Sequence, residues 1–173
     1  KGREHLHRET PDDLVKAINS LKQAIELDSM YSRAHAALAL TYLWGGEYRG
    51  FKWQTINRVP KELHLLARKH LDLAMRNPTS TAHLVASKMA LFRRQYKVAV
   101  THAQLALTFD VNDPDTNLNM ALVLMATGKP EKGLEFVEKT MQLDPRNMAA
   151  PLSAAGMAYF IMGDLQNAAM MTE

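Results

Sequence analysis

Residues 112–145, NDPDTNLNMALVLMATGKPEKGLEFVEKTMQLDP, decide the fold. Asn112 or Asp113 offers a side-chain acceptor to the first free amides of a helix, and Pro114 follows at the first helical position, where its missing N–H is not needed. Leu118, Ala121, Leu122 and Met125 then recur at helical spacing. Gly128 ends that helix, and Pro130 opens the next in its first turn. Gly133, Val137 and Thr140 continue the second helix up to the stop Leu143-Asp144-Pro145. The stretch reads as a helical hairpin with a polar turn on either side.

The same layout recurs outward from it. Small residues stand at Ala99, Gly133 and Ala168, 34 and 35 residues apart, and Ala106 and Thr140 follow the first two seven residues later. Helix ends also match: Ala24-Ile25-Glu26-Leu27-Asp28, Ala106-Leu107-Thr108-Phe109-Asp110 and Met141-Gln142-Leu143-Asp144-Pro145. A repeat of this length implies stacked supersecondary units. Small side chains at fixed places let one helix approach the next, where a bulky one would wedge them apart.

Composition agrees. Of 173 residues 47% are apolar but only 7% aromatic, with Ala and Leu supplying most of the apolar content, which favours close-packed helices over a β-sandwich. No apolar run reaches the roughly 18 residues a membrane span requires, and no secretory leader pattern is present. Cysteine is absent, which excludes disulfides and thiolate metal sites and fits a reducing, cytoplasmic setting. Lys1 in place of Met, and the abrupt stop of the last helical pattern over 168–173, read as a piece of a longer protein.

The pattern resembles the tetratricopeptide repeat (TPR), whose first helix reads bulky–x2–Leu–small–x2–Tyr and whose second reads Ala–x3–Phe–x2–Ala. Matching segments are His35…Leu38-Ala39…Tyr42, His83…Ala86-Ser87…Ala90, Asn117…Met120-Ala121…Leu124 with Gly133…Val137…Thr140, and Leu152…Ala155-Gly156…Tyr159 with Ala168. A leading second helix over 11–28 places Ala17, Leu21 and Ala24 in register. The resemblance implies an all-α fold, a right-handed superhelix of antiparallel helix pairs. The chain then divides into a partial repeat 1–28, a repeat 30–77 with an insertion at about 47–59, repeats 80–110 and 114–144, and a truncated repeat 147–173. Arg94 replaces the glycine that parts the helices of the 80–110 repeat. Residues 2–11, 24–28 and 31–39 are also similar to repeat regions at the carboxyl ends of bacterial class III adenylate/guanylate cyclases and winged-helix transcriptional activators. That narrower resemblance implies a regulatory segment acting on an upstream effector domain.

The family's geometry sets the first helix of each pair on a concave face. Carried over by register, the groove positions are Arg33, Ala36, Leu40, Leu43 and Trp44, then Leu84, Lys88 and Phe92, then Leu118, Leu122 and Met125, and last Met157 and Phe160. This set is apolar, and the paired Lys/Asn clamp with which some relatives grip an acidic carboxyl terminus is missing, Asn119 being a lone match. The expected guest is an apolar or amphipathic polypeptide segment, supplied by another protein, by the rest of the same chain or by a second copy. Three or four anchors at about 1.5–3 kcal/mol each, less the cost of association, give about micromolar affinity. The insertion carries Tyr48, Phe51 and Trp53, read as folding back on its own helix pair.

Charge is uneven. Arg49 to Lys97 holds eleven Lys/Arg against two Asp/Glu, and Val98 onward holds four against nine. Lys69, Arg76, Arg93 and Arg94 read as spread over several faces, a solvated surface and not a nucleic-acid stripe. The asymmetry also allows head-to-tail association of the oppositely charged ends, of a kind that fades with salt. No catalytic motif, phosphate loop or nucleophile elbow occurs, no cofactor is implied, and none of the seven histidines forms an i, i+4 metal pair. His35 and His83 fall on the bulky landmark of their repeats and read as packed residues.

Overall fold

The computed structural model describes residues 11–47 and 60–171, and every regular element among them is helical. In chain order these are α1 (Pro11–Leu27), α2 (Ser32–Glu47), α3 (Pro60–Ala74), α4 (Ser80–Phe92), α5 (Tyr96–Phe109), α6 (Pro114–Ala126), α7 (Pro130–Leu143), α8 (Ala149–Met162) and α9 (Leu165–Met170). The expected hairpin is present. The Asp113 carboxylate accepts from the Thr116 amide at 3.1 Å, with Pro114 in the first turn. The helix continues through Trp44-Gly45-Gly46 to Glu47, so those glycines do not end α2. Residues 1–10, with His5 and His7, and the insertion residues Tyr48, Phe51 and Trp53 lie outside the described residues.

Three helix ends share one backbone solution. After α4, α6 and α8 the chain turns through a left-handed residue: Arg94 (φ 57), Gly128 (φ 76) and Gly163 (φ 81). At each, the residue's own amide returns to a carbonyl three back: Arg94 to Leu91 at 2.9 Å, Gly128 to Met125 and Gly163 to Phe160 at 3.1 Å. The next amide returns five back, Gln95 to Ala90, Lys129 to Leu124 and Asp164 to Tyr159, all at 2.9 Å. This is the Schellman closure, which satisfies the orphan carbonyls of the helix end. The spacing of the three turns, 34 and then 35 residues, is the repeat itself.

The chain packs as two compact units, 1–85 and 86–173, with the boundary inside α4. In the first, α2 packs against both α1 and α3. Leu14, Ala17, Ile18 and Leu21 of α1, Leu38 and Tyr42 of α2, and Leu63, Ala67, Leu71 and Ala74 of α3 are buried. In the second unit, Ala90, Ala99, Ala103, Met120, Val123 and Leu124 form one cluster across α4, α5 and α6. Ala121, Met125, Val137, Ala154, Ala155 and Ala158 form the next across α6, α7 and α8. The small residues act as spacing requires. Ala99, Ala103 and Ala106 are fully buried on α5. A Cβ on Gly133 would meet the Ala121 carbonyl oxygen and Met125 Cγ, each at 3.0 Å. Helices α6 and α7 therefore approach as closely as a bare backbone permits.

Candidate peptide-binding surface

The helices differ in how their apolar residues are distributed. Helices α1, α3 and α7 are one-sided, each with a polar outer face, whereas α2, α4, α6 and α8 are apolar nearly all round. A helix of the second kind meets packing partners on more than one side or leaves apolar surface exposed. Both happen here. Ala36, Leu40 and Leu43 on α2, Leu84 on α4 and Met125 on α6 are buried within the chain. Trp44, Lys88, Leu118 and Leu122 are half-buried, the two leucines packing against the α6–α8 cluster. Arg33 is exposed, as are Phe92 at 60%, Met157 at 41% and Phe160 at 67%. The thirteen positions read from the register thus divide into five that the chain itself encloses and eight that reach solvent.

The exposed apolar residues continue past those eight. Ile161 on α8 and Leu165 and Met170 on α9 are exposed beside Met157 and Phe160 in sequence. Met157, Phe160 and Ile161 fall at i, i+3 and i+4 and make one exposed apolar stripe along α8.

Asn119 is not a free amide. It is 1% exposed, its Nδ2 donates to Ser87 Oγ at 2.8 Å, and Ser87 Oγ donates to the Ala99 carbonyl at 2.9 Å. The chain of bonds ties α6 to α4 and α5 inside the second unit. The Asn119 Oδ1 atom is buried with no protein partner, so the bridge orients the helices at some cost in desolvation.

The histidines are packed. His35 and His83 are buried at 3% and 6% exposure. His35 Nε2 lies 3.1 Å from the Ser29 carbonyl, which only accepts, so this nitrogen carries a proton. His35 Nδ1 and His70 Nδ1 face each other at 2.9 Å, within hydrogen-bond distance. The His35 and His70 rings stack at 5.1 Å, and Tyr42 stacks on His70 at 5.8 Å. Burial, then the neighbouring His35, Lys69 and Lys22, pulls the His70 pKa down to about 4. Among the described residues no group of three or more His, Asp or Glu side chains is placed to hold a metal ion. No helix among them is long and apolar enough to cross a membrane.

Lys69, Arg76, Arg93 and Arg94 are all exposed and lie in different places: Lys69 on α3, Arg76 in the turn just past it, Arg93 and Arg94 at the α4–α5 turn. Lys61 and Arg68 add two exposed cations on the Lys69 side of α3.

No family model matches the chain, and no curated protein does. Solved structures do match over nearly its whole length. YrrB, reported as a TPR protein with an unusual peptide-binding site, is 20% identical, with 92% of this chain and 75% of that one aligned at a TM-score of 0.55. MamA is 19% identical over 98% of this chain and 89% of its own, also at 0.55. PilF of Pseudomonas aeruginosa reaches 0.60 at 20% identity, covering 98% and 69%. The chain has a TPR-like helical-repeat fold.

Proposed function

We propose that the chain is a protein-interaction scaffold that holds an apolar or amphipathic polypeptide segment against its first helices. The observation that carries this reading is the uncovered apolar surface on those helices: Phe92, Met157 and Phe160, with Leu118 and Leu122 half-buried in the same unit. Large exposed apolar side chains grouped on a few elements mark contact sites. In the first unit Arg33 and Trp44 reach solvent and supply a cation and an aromatic to the same kind of guest. Fold likeness to YrrB, a TPR protein with a peptide-binding site, supports the same class of activity.

A second reading rests on the similarity of residues 2–11, 24–28 and 31–39 to the repeat regions of bacterial cyclases and winged-helix activators. In it the guest is a segment of the same chain, the setting is a bacterial cytoplasm, and the repeats regulate an effector domain in cis.

Selection of displayed amphipathic peptides against the purified chain tests the first reading. Peptides that bind should lose at least about tenfold in affinity to the double substitution Leu122→Asp with Phe92→Asp, about 1.4 kcal/mol or more, while the helical circular-dichroism signal is retained. Undiminished binding by the folded double variant refutes the surface assignment. A selection that yields no apolar or amphipathic binder refutes the function.

A further inference from the structure

The ordered cation face on α3 and the carboxylates on α7 point to a second site. On a helix advancing 100° per residue, Lys61, Glu62, Leu65, Arg68, Lys69 and Asp72 fall within about a third of the circumference, and Arg76 follows in the turn just past the helix end. All of these are exposed, the helical ones opposite the buried Leu63, Ala67, Leu71 and Ala74. Four cations thus stand against Asp72 and, at the edge beside Lys69, Glu62, with Leu65 at the centre of the face 61% exposed. The surface here is a shallow, open depression of about 390 Å³ lined by Leu65, Arg68, Lys69, Asp72, Leu73 and Arg76. Such a surface fits a partner with carboxylates spaced along one side of a straight element.

This chain carries that element. On α7, Glu131, Glu135 and Glu138 lie on one face at i, i+4 and i+7, all exposed, opposite the buried Gly133, Val137 and Thr140. Of the two lysines bordering them, Lys139 is engaged, its Nζ donating to the Val111 carbonyl at 2.8 Å, and Lys132 lies at the far edge. The two helices have nearly equal lengths, 15 and 14 residues, and each presents its charged face on the side away from its own hairpin core. The asymmetry extends beyond the two faces, with eleven cations against two acids over 49–97 and four against nine from residue 98.

We infer that a second copy of this chain is the occupant: the α7 carboxylate face of one molecule docks on the α3 cation face of another, with Leu65 covered at the centre. The surface is separate from the first helices invoked for peptide capture and does not depend on that reading. Each copy carries both faces, so association either closes as a two-fold pair or continues from copy to copy.

Sedimentation velocity over a concentration series is the test. Association should weaken at least about tenfold between about 50 mM and about 500 mM salt, because exposed charges are screened within a few ångströms at the higher strength. Lys69→Glu with Arg76→Glu should abolish it, and so should Glu135→Lys with Glu138→Lys. Mixing the two charge-reversed variants should restore association between them, since reversed acids then face reversed cations. Leu65→Ala should weaken association without changing its salt dependence. A chain that stays monomeric at low salt overturns the proposal. So does self-association that survives the reversals, which places the contact elsewhere, or a mixture of the two variants that fails to associate.

Discussion

Arg94 occupies a backbone conformation that costs an L-residue about 1–2 kcal/mol and glycine almost nothing. The 34-residue spacing to Gly128 let the sequence identify it as the substituted glycine, and the shared turn geometry supplies the reason. Arg94→Gly should therefore raise stability by about 0.5–1 kcal/mol, the remainder being offset by glycine's greater freedom when unfolded. Urea unfolding followed by circular dichroism would register it as a higher midpoint at unchanged slope. His70 gives the residue-scale prediction for pH. Its folded pKa of about 4 lies below the ordinary 6.5, so the unfolded chain takes up a proton that the folded chain refuses. Stability is full above about pH 6.5 and falls as pH drops from there toward about 4. After allowance for partial exposure the loss is roughly 1–2 kcal/mol. His102, lowered by burial, works in the same direction. His70→Gln should flatten the midpoint-versus-pH curve across that window; an unchanged slope would show that the pair does not govern acid sensitivity.

At the scale of the element, local chemistry was legible and neighbour counting was not. Asp113, Pro114, Gly128 and Pro130 act on the backbone beside them, so α6 and α7 begin and end where the sequence places them. Ala99 and Gly133 likewise sit at close approaches. Gly133→Val adds a branched side chain where even a Cβ stands 3.0 Å from the Ala121 carbonyl. It should destabilise the chain by about 2 kcal/mol despite valine's better helix propensity, measurable in the same urea titration. Burial of Ala36, Leu40, Leu43, Leu84 and Met125 was hidden for a definite reason. Register tells which face of a helix a residue occupies, but α2, α4, α6 and α8 have no polar face to mark the outside. The eight groove positions that do reach solvent look no different in sequence from the five that do not. The Ser87–Asn119 bridge was hidden for the opposite reason, since a lone polar residue among apolar ones carries no sign of its partner.

At the scale of the whole molecule, two surfaces of unlike chemistry serve two proposed purposes, and their independence is testable. The substitutions Leu122→Asp and Phe92→Asp should remove peptide binding while leaving salt-sensitive self-association in place. Reversal of Glu135 and Glu138 should do the converse. Measuring both properties on both variants checks this, and loss of both properties in either variant would indicate one shared surface. Repeat folds allow such separation because each hairpin is secured by its immediate neighbours, leaving outward faces free to vary. The turn at Arg94 has a related consequence. Its two closing hydrogen bonds use main-chain atoms alone, so the turn closes without calling on any side chain, its left-handed backbone being the one preference it imposes, for glycine. Of the three equivalent corners, this one already tolerates a long charged group at its apex. It is where new chemistry can be written by single substitutions during divergence, with no rearrangement of the scaffold beneath.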